Sequence, residues 1–346
     1  MTTIQEVADL AGVSTATVSR ALAGKASVSA PTRAKVEAAA SQLGYAVSSA
    51  ASSLASGRTR NVGVVMPFLT GWFFTRVLAG AHVTLADAGY DLTLYHLDAS
   101  REGTADRVNP RRERLFGEFL LRKRVDGLIA VSLELTDAEV ERLRSIGKPV
   151  VGIGGPLPGA HTLSIDDIAV AKLATDHLLA LGHRHIAHLG GDPTLDLDFH
   201  LPMNRREGYE QALKAAGITP DPLLVRVADF TIASGYEATK QLLGDPRVAP
   251  TAIFAASDEM AIGAMMAARD IGRRIPDDLS IVGIDGHSLT EFFGLTTVDQ
   301  FPEQQGRLAA QSILAELEGQ DQEQQNVALP YELIVRSSTA AAPPSE

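Results

Sequence analysis

Beyond residue 60 the chain alternates short apolar runs with amphipathic stretches, and this alternation constrains the fold more than any other feature. Apolar runs of this length are typical of buried strands, and the intervening stretches, such as about 73–88 and 109–123, have helical periodicity. Strands that alternate with helices predict parallel sheets covered on both faces. There are too many strands for one small sheet, so we predict two doubly wound lobes with a cleft between them. The predicted strands are 61–68, 90–97, 126–132, 148–154, 185–191, 224–230, 251–257 and 280–286.

The segments that follow these strands are candidate ligand sites, because ligands of doubly wound folds bind outside the carboxyl ends of the strands. Trp72, Phe73 and Phe74 follow the first strand, and Trp72 is the only tryptophan in a chain with 5% aromatic residues. Aromatic faces pack against the apolar face of a sugar ring, while Arg and Asp side chains hydrogen-bond its hydroxyls. Core packing is the alternative for each of these aromatic side chains. Further candidates stand at later strand ends, at 191–209, 229–230, 257–258 and 285–286.

The first 45 residues have the pattern of three short helices around a small core. Thr3 and Glu6 have capping-box spacing at the start of the first helix, and Gly12 ends it. Ser14 can cap the second helix and Ser29 the third. The residues expected to face the core are Ile4, Val7, Ala8, Ala11, Val18, Leu22, Val36, Ala39, Ala40 and Leu43.

Short polar side chains remain on the outer face of the second helix. This arrangement is typical of a helix-turn-helix unit, whose second helix places its N-terminal side chains on base edges. Residues 1–60 carry six Lys or Arg against three acids, a charge of +3, so the rest of a chain of net charge −11 carries −14. A basic head on an acidic body suits a protein that touches DNA phosphates with one end. The alternative is a small helical cap packed on a larger domain.

Residues 46–60 are mostly small and polar, which indicates a linker. Such a segment can be disordered when free and helical when bound. Leu54 is its one large apolar side chain. It can serve as a wedge between base steps of the minor groove, or it can dock on the body, and spacing alone does not decide between the two.

Composition excludes several classes of protein. The absence of cysteine excludes disulfides, thiolate metal sites and cysteine nucleophiles. No run of eighteen apolar residues and no secretory signal is present, so we expect a cytoplasmic protein with no membrane partner. With 346 residues and 45% hydrophobic content, the chain can bury a large core and form two or three domains.

Apparent catalytic and metal motifs have the wrong spacing. The GIGG run at 152–155 is followed by prolines where a dinucleotide-binding helix would begin. Three histidines within 183–188 start a strand without a carboxylate at ligand spacing, and the aspartates of 192–198 lack the glycine and glutamate of a calcium loop. We therefore expect no enzyme, no metal and no cofactor.

The head, the linker and the body together resemble the LacI/GalR (lactose repressor) family of bacterial transcription regulators over residues 2–340. The motifs that carry this resemblance are TIQEVADLAGVSTATVSRAL (3–22), LGYAVSSAASSLASGRTRNVGVVMP (43–67), RVDGLIA (124–130), LLALGHRHIAHLGG (178–191), RREGYEQAL (205–213), AIFAASDEMAIGAM (252–265), RRIPDDLSIVGIDG (273–286) and LTTVDQ (295–300).

The resemblance implies an N-terminal all-α helix-turn-helix head joined by a hinge helix to an α/β body. The body would consist of two doubly wound parallel-sheet lobes, like a type I periplasmic binding protein. The implied divisions are a DNA-binding head (1–45), a hinge (46–60), a ligand-sensing and dimerisation body (61–340, with an N-lobe of about 61–162 and 292–322 and a C-lobe of about 163–290 and 323–340) and a tail (341–346).

Candidate site residues follow from the same resemblance. Arg205 stands where an arginine binds sugar hydroxyls, Asp285 where an aspartate assists it, and Gln300 where an amide lines the cleft. Phe230 and Phe74 would form aromatic and apolar walls, and Leu54 matches the minor-groove leucine. The full DNA-binding set is Ser14, Thr15, Ala16, Thr17, Arg20, Ser29, Ala51 and Leu54, and the full ligand-binding set is Trp72, Phe73, Phe74, Arg205, Phe230, Ser257, Asp285 and Gln300.

Several positions depart from the common family pattern. Val47-Ser48 replaces a usual Pro-Asn at the start of the hinge, which leaves φ less restricted there. Gly71-Trp72 stands for a frequent Asn-Pro, Gly154 for Asp and Ser257 for Asn. The pocket loses polar anchors and gains one large aromatic side chain, so the ligand of better-known members cannot be carried over.

The expected protein is a homodimeric repressor that binds a palindromic operator in double-stranded DNA and is released by a sugar or glycoside in the cleft. A corepressor that strengthens DNA binding is an alternative, since a two-state body can be biased either way. A second alternative is a sugar-binding receptor whose head docks a protein. The tail has no heptad pattern, so we expect a dimer and no tetramer.

Overall fold

The computed structural model describes residues 2–22, 27–45, 58–97, 110–114, 116–117, 125–192, 200–320 and 326–344. The chain divides into two compact units, Met1–Arg60 and Asn61–Glu346. The predicted hinge, with Ala51 and Leu54, lies outside the described residues except for 58–60.

The head consists of α1 (Ile4–Ala11), α2 (Thr15–Leu22) and α3 (Ala30–Gln42). The capping box is present, since the Glu6 carboxylate accepts from the Thr3 N–H at 2.7 Å and the Thr3 hydroxyl accepts from the Glu6 N–H. Gly12 ends α1 with a left-handed φ of 67°. The buried core is formed by Val7, Ala8, Val18, Ala21, Val28, Val36, Ala39 and Ala40.

The two serine caps behave differently. Ser14 caps α2 as predicted, because its hydroxyl accepts from the Thr17 N–H at 3.2 Å. Ser29 stands at the N-cap position of α3, but its hydroxyl bonds to the Thr32 hydroxyl at 2.9 Å and caps no backbone N–H. The prediction of a side-chain cap at Ser29 is therefore wrong, since the Thr32 hydroxyl takes the bond that a backbone N–H would have made.

The body contains two six-stranded sheets. The first has the order β11-β5-β4-β3-β1-β2 and is parallel throughout. The second has the order β12-β10-β9-β8-β6-β7, and only its edge strand β12 is antiparallel. The strands are β1 (Asn61–Met66), β2 (Asp91–His96), β3 (Gly127–Val131), β4 (Val150–Ile153), β5 (His161–Ser164), β6 (Ile186–Gly190), β7 (Val225–Val227), β8 (Ala252–Ala255), β9 (Ser280–Asp285), β10 (Thr296–Asp299), β11 (Asn326–Ala328) and β12 (Glu332–Ile334).

Helices cover both sheets. In the described residues, α4 and α12 pack together on one face of the first sheet, and α6 lies on the other. Helices α7 and α8 cover one face of the second sheet, and α9 and α10 cover the opposite face. The helices of the body are α4 (Trp72–Asp87), α5 (Pro110–Arg114), α6 (Asp137–Ile146), α7 (Asp167–Ala180), α8 (Leu201–Ala215), α9 (Ile232–Leu243), α10 (Asp258–Asp270), α11 (Thr290–Phe293) and α12 (Pro302–Leu317).

The predicted lobe boundaries need correction. Strand β10 lies within the stretch 292–322 that we assigned to the first lobe, yet it pairs with β9 in the second sheet. Strand β11 lies within 323–340, assigned to the second lobe, yet it pairs with β5 in the first sheet. The chain crosses between lobes after β5, after β10 and after β11. Strands β5, β10, β11 and β12 were not recognised because none of them lies within a long apolar run, whereas the equally short β4, β7 and β8 do.

Other boundaries shift by a few residues, as is usual for strand and helix ends. The helix predicted over 109–123 is described over Pro110–Arg114, and residues 118–124 lie outside the described part of the chain.

Each helix pair of the body crosses at glycine. Gly80 of α4 and Gly306 of α12 face each other's helix so closely that a Cβ on either would overlap a backbone carbonyl oxygen, that of Glu303 or of Val77. Gly208 brings α8 against α7 in the same way. The corresponding glycines of the α9–α10 crossing are Gly235 and Gly263. Backbone packed on backbone leaves little room for the helices to slide, so each lobe is expected to move as a unit.

Candidate functional site

The head presents helix α2 as its candidate DNA-reading element. Ala16 and Arg20 are exposed, whereas Val18 is buried in the head core. Thr17 is half-buried, and its hydroxyl bonds to that of Ser14 at 2.9 Å. One face of α2 is thus held by the core and the other carries short polar side chains and one arginine.

In the body, strained backbone collects at the carboxyl ends of the strands. Among the described residues, four of the six non-glycine positions with left-handed φ values follow strands, at Ser132 after β3 (45°), Phe230 after β7 (55°), Asp285 at the end of β9 (134°) and Phe301 after β10 (51°). The other two are Arg60 before β1 and His200 at the N-cap of α8. Such conformations cost about 1–3 kcal/mol each and persist where the surroundings impose them, often at functional sites. Their positions make the carboxyl ends of the strands the candidate binding site.

Gly154 also lies at this edge, directly after β4, with a φ of 102°. A Cβ at this position would stand 3.0 Å from the Ser132 hydroxyl oxygen. The backbone conformation at position 154 therefore favours glycine.

Arg205 is the only strongly buried arginine among the described residues, with 3% of its surface exposed. It lies in the first turns of α8, and its Nε donates to Asp167 Oδ1 at 2.8 Å. Its Nη1 donates to the Ala256 carbonyl oxygen, which follows β8. Burial raises the pKa of Asp167, and the Arg205 charge opposes that rise. The guanidinium thus links three elements at the strand ends of the second sheet.

Asp285 and Gln300, two of the predicted ligand residues, are in direct contact. The Gln300 amide donates to Asp285 Oδ1 at 2.6 Å, and both side chains are buried. The Gln305 amide in turn donates to the Gln300 carbonyl oxygen at 2.7 Å. Burial raises the pKa of Asp285 well above its ordinary value, with the Arg205 charge acting against it.

Asp258 lies behind this pair at the start of α10. Its Oδ2 accepts from the His287 N–H at 2.8 Å and from the Thr297 hydroxyl at 2.9 Å. Its Oδ1 is buried without a hydrogen-bond partner and packs against Gly283. Burial raises the pKa of Asp258 to about 7. The carboxyl group ties the ends of β9 and β10 to α10.

Trp72 connects the two lobes. It begins α4 on the first lobe, and its backbone N–H donates to the Glu259 carboxylate of α10 at 3.1 Å. Its ring lies 4.7 Å from the His287 ring, centroid to centroid, with 30° between the planes. The His287 Nδ1 accepts from the Leu289 N–H at 2.9 Å, which leaves the proton of a neutral ring on Nε2.

The remaining predicted ligand residues pack against the lobe cores or cap a helix. Phe73 and Phe74 pack partly against the core of the first lobe, with ring centroids 5.4 Å apart. Phe230 packs partly against the core of the second lobe, where its ring occupies the space beside Gly191. Ser257 caps α10 by accepting from the Met260 N–H at 3.3 Å. These four residues have structural roles in addition to any contact with a ligand.

Sequence reasoning missed Asp167, Glu259 and His287 as site residues. Asp167 follows β5, which was not recognised as a strand, so its position at a strand end was not evident. Glu259 and His287 each stand within two residues of a predicted strand end, at 257–258 and 285–286. Extending each strand end by one or two residues would have found both.

A separate cavity of about 410 Å³ lies at the amino ends of β4 and β5, away from the strand ends described above. Its walls include Leu143, Lys148, His161 and Glu316. No predicted site residue lines it. In the described residues there is no group of three His, Cys, Asp or Glu side chains placed to hold a metal ion. Nor is any helix in those ranges long and apolar enough to cross a membrane.

The ionisation of Asp258 predicts an unusual dependence of stability on pH. A folded-state pKa of about 7 against an ordinary 3.8 means that the native state binds more protons between these values. The free energy of unfolding therefore falls as pH rises through this window. Replacement by Asn removes this pH dependence. The free energy of unfolding of Asp258→Asn minus that of the wild type should therefore rise by up to about 4 kcal/mol between pH 4 and pH 8.

Chemical denaturation of the wild type and the Asp258→Asn variant across this range measures the difference. His188 is buried between Tyr209 and Phe254, and burial lowers its pKa to about 4. Its contribution to the free energy of unfolding therefore has the opposite pH dependence and is lost as pH falls below 6.5. Because the titrations of Asp258 and His188 change the wild-type stability in opposite directions, the contribution of Asp258 is obtained from the difference between the wild type and Asp258→Asn. Parallel curves for the two proteins would contradict the assignment, and the exposed Asp87→Asn serves as control.

The sequence is similar to those of known proteins over nearly its full length. Residues 3–48 match the sequence profile of bacterial regulatory proteins of the lacI family, and residues 175–339 match that of a periplasmic binding protein-like domain. The HTH-type transcriptional repressor CytR of Escherichia coli K12 is 35% identical over 346 residues, which cover 99% of this chain and 97% of that protein. The HTH-type transcriptional regulator CelR of Thermobifida fusca is 34% identical over 97% of this chain and 98% of its own length.

Solved structures agree with these matches. The lac repressor dimer bound to operator and the anti-inducer ONPF superposes with a TM-score of 0.83 at 29% identity, over 98% of this chain and 99% of that one. A complex of the transcriptional regulator CelR with cellobiose gives a TM-score of 0.69 at 32% identity, over 98% and 100% of the two chains. The predicted resemblance and the predicted fold class are confirmed, and the relatives are named repressors and regulators, not enzymes. The chain therefore belongs to the lacI family of bacterial regulatory proteins and is a DNA-binding transcriptional regulator with a helix-turn-helix head and a periplasmic-binding-protein-like body.

Proposed function

We propose that this protein is a cytoplasmic homodimeric repressor that leaves a palindromic operator when a sugar or glycoside binds between the lobes of its body. The observation that carries the proposal is the convergence of Arg205, Asp285 and Gln300 at the strand ends, with Trp72 reaching across from the first lobe. Hydrogen-bonding groups on one side and an aromatic face on the other suit a polyhydroxylated ring.

Arg205 and Asp285 do not use all of their hydrogen-bonding atoms within the described protein, so both can bind a ligand as well. Within the described residues, Arg205 uses Nε and Nη1 for protein partners, and Asp285 uses Oδ1. Arg205 Nη2 and Asp285 Oδ2 can therefore serve a pair of adjacent ligand hydroxyls, one accepting and one donating. Related structures support this class of ligand, since CelR was solved with cellobiose and a LacI family transcriptional regulator of Enterococcus faecium with bound ribose.

The homodimer is supported by exposed apolar side chains on the body. Leu94 lies on the edge strand β2 and Val227 on the edge strand β7, and both are exposed. Phe292 of the short helix α11 is 84% exposed. An exposed edge strand can pair with another chain, and a large exposed apolar patch often marks an interaction surface. The lac repressor that this chain resembles was solved as a dimer.

The proposed mechanism is a shift between two arrangements of the lobes. In one arrangement the two linkers fold together and hold both heads in register on the operator. A ligand that prefers the other arrangement shifts the population towards it, and the linkers unfold. Contacts such as those of Trp72 with Glu259 and His287 connect the lobes and can differ between the two arrangements.

The experiment that tests this function starts from genomic DNA. Purified protein is used to capture fragments of the genome that encodes it, with and without a mixture of neutral sugars, at one stated salt concentration. Recovery of a few palindromic sites that the sugars release supports the inducible repressor. Sites recovered only with an added metabolite would favour a corepressor, and no specific site at all would favour the receptor whose head docks a protein.

Coupling between the two sites is then measured with the active sugar. Because coupling is reciprocal, operator DNA must weaken sugar binding by the factor by which the sugar weakens operator binding. Sugar is titrated by calorimetry with and without saturating operator. Equal affinities in the two titrations would contradict the allosteric mechanism.

Leu54 gives a test that separates the head from the cleft. If this residue inserts between base steps, Leu54→Ala should reduce operator affinity by about tenfold or more, which corresponds to about 1.4 kcal/mol. Sugar affinity should not change. Fluorescence anisotropy with labelled operator measures the first quantity and calorimetry the second. Loss of both affinities would indicate a folding defect, and Leu54→Met, which keeps the apolar bulk, is the matched control.

A further inference from the structure

We infer that the cleft selects against anions, so that the effector is an uncharged or amine-bearing polyhydroxylated molecule and not a sugar phosphate or a sugar acid. This inference rests on the proposed function and narrows its ligand class. It is supported by the excess of carboxyl groups at the strand ends and by the protein acceptors that already bind N–H groups of the helices beginning there.

Carboxyl groups outnumber cations at this edge of the described structure. Asp167, Asp258, Glu259 and Asp285 stand at or directly after strand ends, and the buried cation among them is Arg205. The Arg205 Nε is already bound to Asp167, so much of its charge is balanced within the protein. A ligand therefore meets an excess of carboxyl groups.

At three of the helix N-termini of this edge, one of the first N–H groups is already bound by a protein acceptor. The N-terminal N–H of α4, at Trp72, is bound by the Glu259 carboxylate at 3.1 Å. Asp166 caps α7 at 2.9 Å from the Ala169 nitrogen, and Ser257 caps α10. Helices are ready anion sites only while their first N–H groups are available. Helices α8 and α12 lack side-chain caps, but each has a proline in its first turn, which removes one donor.

The contact between Glu259 and Trp72 is especially informative because it crosses between the lobes. A carboxylate of the second lobe occupies the anion position on a helix of the first lobe. An anionic ligand would have to displace this carboxylate or lie beside it. A hydroxyl or an ammonium group can instead donate to it.

The expected discrimination can be bounded from Coulomb's law. One carboxylate about 8 Å from a ligand phosphate weakens its binding by between about twofold, with water-like screening, and about thirtyfold, with the screening typical of a protein surface. Burial raises the pKa of Asp167, Glu259 and Asp285, so their ionised forms are destabilised further by a nearby anion and stabilised by a hydrogen-bond donor or a cation. Such groups gain most from ligand hydrogen-bond donors.

The test uses full-length protein on its captured operator and a small-molecule extract of the cells that carry the gene. The extract is passed over an anion exchanger, which separates neutral and cationic metabolites from phosphates and carboxylates. Each fraction and the whole extract are assayed for a change in operator affinity. Fluorescence of Trp72, the only tryptophan, reports in the same samples whether the cleft is occupied.

Activity in the unretained fraction, with a change in Trp72 fluorescence, supports the inference. Activity in the retained fraction would overturn the inference and leave the proposed function standing. A whole extract without activity would contradict the proposed function itself, and the inference would fall with it.

A matched pair of variants tests the physical cause. The active compound and its phosphate ester are titrated against the wild type, Glu259→Gln and Glu237→Gln, the last of which changes an exposed acid of α9. Removal of the cleft carboxylate should reduce the preference for the uncharged compound by about tenfold, within the Coulomb range above. Glu237→Gln should leave the preference unchanged. Equal preferences in all three proteins would overturn the electrostatic explanation.

Discussion

Arg205→Ala is expected to lower the free energy of unfolding of the body by about 3–5 kcal/mol and to abolish the response to the effector. The guanidinium is 3% exposed and the Asp167 side chain 10% exposed, so truncation leaves a buried carboxylate without its cation. The Ala256 carbonyl oxygen loses a donor as well. Operator binding should persist at temperatures where the variant remains folded, because the head has its own core.

The design of this experiment separates stability from ligand recognition. In the double variant with Asp167→Asn, the unpaired charge is removed, and we expect recovery of about 2 kcal/mol or more without recovery of the effector response. Arg206→Ala is the matched control, since its pair with Glu210 is exposed and such pairs contribute about 0–1 kcal/mol. Denaturant unfolding gives the stabilities, and operator release gives the response. Persistent induction in the single variant would contradict the assignment of Arg205 to the effector site.

Gly306→Ala is expected to destabilise the body by about 3 kcal/mol, although alanine favours helix more than glycine does. The new Cβ would overlap the carbonyl oxygen of Val77, and a backbone atom of a packed helix cannot move aside as a flexible side chain can. The helices α4 and α12 must separate instead. Their separation opens the core of the first lobe, to which both contribute.

A double-mutant cycle with Gly80→Ala tests this explanation. Both glycines line the same crossing, so the second substitution should cost less once the first has moved the helices apart. Gln304→Ala, on the exposed face of α12, is the control and should change stability by about 0.5 kcal/mol or less. Thermal and denaturant unfolding provide the measurements. Strict additivity of the two glycine variants would mean that the helices do not share one close contact.

Rigid lobes have a consequence for the proposed mechanism. Glycine-packed helix pairs hold each lobe together, whereas the lobes are joined by three crossings of the chain and by contacts such as that of Trp72 with Glu259. A ligand at the strand ends can therefore change the angle between the lobes more easily than the structure within a lobe. Such closure around a ligand is a common form of allosteric change.

Local signals in the sequence predicted the head and the order of the elements. The capping box of Thr3 and Glu6, the glycine at position 12 and the long apolar strands are local features, and the structure has each of them where predicted. The contact of Asp285 with Gln300 was not predicted, although the family resemblance proposed each residue separately for the cleft. Strands β5, β10, β11 and β12 were missed because each is short and lies outside the long apolar runs that revealed the equally short β4, β7 and β8.

Thus the sequence by itself determined the fold class and the family and predicted a site at the strand ends, because capping, hydrophobic periodicity and motif spacing act over a few residues. Only the tertiary structure decided which lobe each of the last strands joins, since sheet pairing depends on partners distant in the chain. It also decided that Asp167 pairs with Arg205 and that Trp72 meets Glu259 and His287 across the cleft. These contacts join residues between 38 and 215 positions apart, and no local pattern encodes which side chains such distant segments bring together.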